Sequence, residues 1–346
     1  MENVLFLAVP ILYILFTIYF ANLNHAKDEY EQQNVRLLLY GAPFLMVLGG
    51  MSVLTYAMIV GGLPADMTEA ELLEAGFTQR PTISGAFLII SLLLSAGGTF
   101  LPIQIIQSRT LREKIRDWLP VSSKFDVNSH IHTTALVFVI LVTVLIIIQL
   151  FILESAAASE TVDINLADIL LQSAIQIVGA LLGIGFAIRR QLPQALARLG
   201  LTIPTWKDLG WAVLAVIVAF VWVIAIGILM SLFFTEEQLA EMNQSSDALI
   251  KALSGSLFLM FFVSINAAVS EELLFRGALQ PVLGNVLTSV FFALLHTQVL
   301  FSPGVIAIFG VSMIFGVIRQ RYNTTTAIMA HFLYDFIVLS IFRAGV

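Results

Sequence analysis

The chain has 346 residues, 59% apolar and 12% charged, with a net charge of −6 and a mean hydropathy of +0.94. Soluble domains carry about 45–50% apolar and about 25% charged residues, and a folded aqueous domain needs polar residues to cover its surface. These proportions exclude a soluble enzyme, a disordered chain and a nucleic-acid binder with a basic face, and leave a polytopic membrane protein. The lack of cysteine also removes disulfides, thiolate nucleophiles, iron–sulfur clusters and cysteine zinc sites.

A spanning helix needs roughly 20 apolar residues, and ten stretches reach that length, at about 3–23, 37–62, 82–106, 132–153, 165–188, 208–234, 252–278, 282–300, 302–319 and 323–342. The expected fold is an all-α polytopic membrane bundle of about ten transmembrane helices. The first stretch is not a typical signal peptide, because Glu2 and no basic residue precedes it. After the second, Thr68 followed by Glu71 predicts a capping box opening a short helix. After the third, Leu111, Ile115, Trp118 and Leu119 recur at helical spacing among Arg112, Lys114 and Arg116, which predicts an amphipathic helix at the inner interface. In the fifth, Gly179 and Gly183 form a small-residue pair for close helix packing, and Gln172 and Gln176 are expected to hydrogen-bond between helices. The boundary between the eighth and ninth is marked only by His296, Thr297, Gln298 and the pair Ser302-Pro303. No internal repeat, low-complexity tract or soluble domain is visible.

Loop charges give an orientation. With the N-terminus outside, the inner loops carry Lys27 and Arg36, then Arg109, Arg112, Lys114, Arg116 and Lys124, then Arg189, Arg190, Arg198 and Lys207, then Arg319 and Arg321. The outer loops keep only Arg80, Lys251 and Arg343. This is a positive-inside pattern with both termini outside. Acidic residues favour the outer loops, as at Asp66, Glu69, Glu71 and Glu74, and again at Glu236, Glu237, Glu241 and Asp247.

The charges inside spans sit in the last quarter of the chain: Glu271, Glu272 and Arg276 in the seventh, His296 in the eighth, His331 and Asp335 in the tenth. An ionised group near the bilayer centre costs on the order of 2.5–3.5 kcal/mol, so the cluster needs a functional reason. Glu272 and Arg276 are four residues apart, share a helix face and can neutralise each other. Glu271 is turned roughly 100° away and is free for another neighbour. His331 and Asp335 also share a face. Carboxylates and imidazoles on three helices can converge in a bundle interior and hold and activate water.

These residues read Glu271-Glu272-Leu-Leu-Phe-Arg276, Phe292-Ala-Leu-Leu-His296 and His331-Phe-Leu-Tyr-Asp335. The trio resembles the three-motif signature of the CAAX protease and bacteriocin-processing family, also called the Abi family, over about residues 250–343. The resemblance implies an intramembrane endopeptidase similar to the type II CAAX prenyl endopeptidase. It implies that Glu271 and His296 activate the hydrolytic water, and that His331 and Asp335 meet the oxyanion or complete the water site. Glu272, Arg276 and Phe292 would shape the pocket. Residues 1–206 are then N-terminal transmembrane helices of unassigned role, and residues 207–346 the protease core.

The family's third motif ends in asparagine or aspartate, and its eukaryotic CAAX enzymes carry asparagine where this chain has Asp335. An ionised aspartate cannot donate to an oxyanion, so Asp335 is either protonated or orients His331. Zinc is the rival to a metal-free, glutamate-based site, since histidines and carboxylates are zinc ligands, but no HExxH pattern occurs. No cofactor is expected. The expected partners are the lipid bilayer and a peptide or membrane-anchored protein substrate, without nucleic acid, and the expected location is a prokaryotic cell membrane. Two rival functions remain. One is a non-catalytic scaffold or bacteriocin-immunity protein of the same family. The other is a secondary transporter, which predicts inverted repeats and charges in both halves.

Overall fold

An apolar run in hydrocarbon can satisfy its backbone only within a helix or a closed barrel, and here the solution is helical throughout. The computed structural model describes residues 2–23, 29–74, 80–81, 83–119, 123–155, 164–300 and 302–345. In chain order the helices are α1 (Glu2–Leu23), α2 (Glu29–Leu39), α3 (Gly41–Gly61), α4 (Glu69–Glu74), α5 (Gly85–Gln107), α6 (Arg109–Trp118), α7 (His130–Ser155), α8 (Leu166–Gly183), α9 (Leu192–Leu199), α10 (Trp206–Ser231), α11 (Glu236–Leu253), α12 (Leu257–Glu272), α13 (Gln280–Leu295), α14 (Gly304–Arg321) and α15 (Thr324–Arg343). Among the described residues, eight stretches are long and apolar enough to cross a membrane. One of them, Leu257–Leu295, runs 39 residues and holds two of the expected spans, and Pro10–Leu23 adds a shorter apolar helix. The protein is a polytopic helical membrane bundle.

Two apolar cores are the largest among the described residues. In the first, α3, α5 and α7 enclose Met46, Ile105 and Leu141, and the same cluster runs on to Phe275, Leu283 and Phe292. The N-terminal helices therefore back directly onto the segment that carries the charges. In the second, Ala212, Ala215 and Ala219 of α10 meet Ala327 and Ala330 of α15 and Phe315 of α14. Small residues let helices approach closely where lipid removes the hydrophobic drive between them.

One end of the second core is tied by polar side chains. The Asp208 carboxylate accepts from Asn323 Nδ2 at 3.0 Å and Thr326 Oγ1 at 2.7 Å, joining the N-termini of α10 and α15. Thr324 donates its backbone N–H to the Gly200 carbonyl at 2.9 Å and its hydroxyl to the Leu199 carbonyl, so α9 is fixed to the same end.

Three local readings can be compared with the structure. The capping box opens α4 as expected: Thr68 N–H donates to Glu71 Oε2 at 2.8 Å and Glu71 N–H to Thr68 Oγ1 at 3.3 Å. The amphipathic helix forms as α6, but Leu111, Ile115 and Leu119 pack on the protein core, while Trp118 is 93% exposed. Arg112 turns inward instead of outward. Its guanidinium donates to the carbonyls of Ile105, Ile106 and Val127 at 2.6, 3.0 and 2.8 Å, satisfying the end of α5, whose last carbonyls have no partner within the helix. The expected role of Gln172 and Gln176 is not met among the described residues. Gln172 is exposed, and the hydrogen bond from α8 to α12 runs through the neighbouring Ser173, whose hydroxyl accepts from Asn266 Nδ2.

Two irregularities shape the charged quarter. Beyond Glu272 the helix widens into a π-helical stretch, Leu273–Leu279, a form found mostly at functional sites. Within α13, Gly284 has φ 80° and ψ 169°, a conformation open to glycine alone.

Candidate active site

Glu271 and Glu272 close α12, and their environments differ. The Glu272 side chain is completely buried, as is that of Arg276. Arg276 Nε lies 3.3 Å from Glu272 Oε2, an ion pair in distance that lacks hydrogen-bond geometry. Arg276 Nη2 instead donates to the Ser312 carbonyl and hydroxyl on α14, each at 3.0 Å, and its guanidinium carbon stands 5.3 Å from the centre of the Phe292 ring. These contacts compensate a cation sealed in the bundle.

His331 on α15 reaches the other oxygen of the same glutamate, with Nδ1 3.0 Å from Glu272 Oε1. Its Nε2 lies 3.3 Å from Asp335 Oδ2 and 4.0 Å from Glu271 Oε2. An ionised carboxylate only accepts, so the ring donates from both nitrogens while these partners are ionised. The His331 ring packs between Phe315 and Phe292, with centroid distances of 5.5 and 6.1 Å. Exposure then separates the carboxylates: the Glu271 side chain is 16% exposed and Asp335 29%, against none for Glu272. Part of the Glu271 and Asp335 side chains is therefore open, and none of Glu272 is.

His296 ends α13. Its Nδ1 lies 2.8 Å from the Phe292 carbonyl. A carbonyl only accepts, so Nδ1 carries the proton and Nε2 presents a lone pair. Its ring is 4.5 Å from that of Phe292, and Glu271 is within Coulombic reach of His296, His331 and Asp335. A 3₁₀ turn, Thr297–Val299, follows His296 directly. Upstream, the break at Gly284 separates Gln280–Leu283 from the regular helix 285–295 that carries Phe292 and ends at His296.

All seven residues singled out from the sequence therefore gather around one point. The sequence reading missed Ser312 and Phe315 on α14, the Glu272–His331 contact across two helices, the π stretch and the Gly284 break. Only the break had a visible signal, in the run Gln280-Pro281-Val-Leu-Gly284-Asn285.

The structure thus gathers a buried carboxylate–imidazole–guanidinium cluster with one partly exposed glutamate inside a polytopic helical membrane bundle. Residues 253–337 match the family model described as type II CAAX prenyl endopeptidase Rce1-like. The matched stretch is similar to that family and spans the α12–α15 segment that carries the charged cluster. Neither a search of curated proteins nor one of solved structures found a match.

Proposed function

We propose that residues 207–346 form an intramembrane endopeptidase that hydrolyses a peptide bond in a membrane-associated peptide or protein, using water activated by Glu271. The observation that carries this reading is the split between adjacent glutamates: Glu272 is sealed against Arg276, while Glu271 is partly exposed beside His331 and Asp335. Glu271 takes a proton from water, and His296 Nε2 holds that water by accepting its second hydrogen. The water oxygen attacks the scissile carbonyl carbon. The oxyanion that forms is met by the His331 Nε2–H, which Asp335 orients. The C–N bond then breaks, and the proton held by Glu271 passes to the leaving amine.

Zinc fits this donor set poorly. Both nitrogens of His331 face carboxylates, Nδ1 of His296 is bound to a carbonyl, and among the described residues no three His, Asp or Glu side chains converge as metal ligands. No step is assigned to a metal.

Mass-spectrometric peptide profiling of membranes holding wild type or Glu271→Gln identifies the cleaved substrate, and turnover is then measured on that peptide with purified protein. Glu271→Gln is expected to lower turnover about 10²–10⁴-fold with an unchanged Tm. A chelator should leave wild-type activity intact. Asp335→Asn should keep substantial activity, since its amide oxygen can still accept from His331 while its NH₂ donates to the oxyanion. Wild-type turnover in Glu271→Gln overturns the general-base assignment. Activity lost to chelation and restored by zinc overturns the metal-free mechanism.

A further inference from the structure

One cavity lies away from Glu271, His296, His331 and Asp335, none of which lines it. It is a groove of about 590 Å³ between α1, α7, α8 and the π stretch, within the roughly 300–1,000 Å³ usual for ligand pockets. Its body is apolar, lined by Leu15, Phe138, Gly179, Gly183, Leu274 and Leu295. The lining also holds a part different in kind, the group Arg189, Arg190 and Arg198 that follows the C-terminal end of α8.

Among the described residues the three arginines donate to neutral partners. Arg189 Nε donates to Asn22 Oδ1 at 2.7 Å, Arg190 to the Ile184 carbonyl, and Arg198 Nη1 to the Gly277 carbonyl at 2.8 Å. Among the described residues, none of them has a carboxylate oxygen within 4.0 Å. Asp126 also lines the groove, but its carboxylate accepts from the Asn128 N–H at 2.9 Å in its own turn. Burial, and then the neighbouring arginines, pull Arg189 and Arg198 each down to about 10. Three arginines against the single Asp126 leave an excess of positive charge here among the described residues.

The backbone is bent to hold it there. Gly185 has φ 77° and Ala187 φ 58°, the latter in a region that an alanine seldom enters. The N–H groups of Arg189 and Arg190 both donate to the Gly185 carbonyl at 3.0 Å. This strained turn follows α8 directly and places two consecutive arginines in the lining of the groove. A strained conformation persists where surrounding structure holds it, and such sites cluster at ligand clamps.

We infer that the groove binds an anionic membrane lipid, with an acyl chain along the apolar body and the headgroup phosphate on Arg189, Arg190 and Arg198. Basic pockets between transmembrane helices hold anionic headgroups by this chemistry. The lipid would brace the π stretch from behind, because Leu274, Ala278 and Leu279 line the groove on one side of the segment that carries Arg276. The inference does not rest on the proteolytic reading, and its test is a binding measurement.

The test is native mass spectrometry and melting of detergent-purified full-length protein with phosphatidylglycerol, phosphatidylcholine or inorganic phosphate. Phosphatidylglycerol is expected to stay bound through detergent removal and to raise the Tm. Phosphatidylcholine should bind about tenfold more weakly or less, and phosphate alone should leave the Tm unchanged. Two variants probe the two ends. Arg189→Gln with Arg190→Gln should lower phosphatidylglycerol retention about tenfold or more. Gly183→Leu should do the same by filling the groove, since a Cβ there meets no atom within 4 Å. If the double variant does not fold, Gly183→Leu alone decides. Equal retention of the two lipids, an equal Tm shift with phosphate alone, or full retention in Gly183→Leu overturns the inference. Glu271→Gln should retain the lipid like wild type, which separates this result from any failure of the protease reading.

Discussion

Glu271 and Glu272 are chemically identical and adjacent, and the roughly 100° between them on the helix gives them different partners. Glu272 meets Arg276 on its own helix and His331 on α15, with no exposure at all. A buried cation left without its anion costs about 3–5 kcal/mol. Glu272→Gln is therefore expected to lower the Tm sharply, because glutamine can still accept from His331 but carries no charge to offset Arg276. Replacing both partners, Glu272→Gln with Arg276→Met, should recover part of that loss, since removing an entire buried pair is often neutral. Detergent melting of the single and double variants measures this. A Glu272→Gln protein that melts like wild type would show that the pair does not stabilise the fold.

At the scale of elements, α13 is where sequence and structure part. Its apolar run reads as one unbroken span, and nothing in hydropathy marks the break at Gly284. That break lies ahead of both Phe292 and His296, and so sets where their rings stand against α15, with Phe292 6.1 Å from the His331 ring. Gly284→Ala is expected to cost about 1–3 kcal/mol of backbone strain and to displace His296. Activity should fall more than the Tm explains, and a fluorine label or crosslink between the Phe292 and His331 positions would register the movement. An unchanged site geometry in Gly284→Ala would refute the role given to the break. The other contacts of the site were legible to different degrees. Spacing alone pairs Glu272 with Arg276 and His331 with Asp335, because both are local to one helix. Ser312 and Phe315 were invisible for the opposite reason. They join through packing of α14 against α13 and the π stretch, and they carry no charge that hydropathy would flag. Arg112 was read as a polar surface residue because a one-dimensional wheel cannot show the orphan carbonyls of α5 beside it.

At the scale of the whole molecule, the open question of orientation joins the loops to the site. We propose that both termini lie outside, which rests on most of the 17 Lys and Arg falling in alternate loops. The fold adds an independent support, since loops assigned to the inside by charge alone meet at one end of the bundle. Lys124 N–H donates to the Pro281 carbonyl at 2.8 Å, Arg198 to the Gly277 carbonyl at 2.8 Å and Arg319 Nε to the Arg276 carbonyl at 3.3 Å. Three basic segments thus converge on the π stretch and the start of α13, where the Arg198 and Arg319 guanidinium groups complement carbonyls of the π stretch. The polar helix α11, carrying Glu236, Glu237 and Glu241, packs instead on the 3₁₀ turn after His296 and on α15. A basic end and an acidic end are the polarity that a membrane with an anionic inner leaflet selects. Cysteines placed at each terminus and at Lys114 in a chain that has none provide the test through labelling with a membrane-impermeant maleimide. Both terminal cysteines should label in intact cells, and the one at Lys114 only after lysis. Labelling at Lys114 in intact cells with protected termini would invert the molecule, and with it the side from which substrate and lipid headgroup approach.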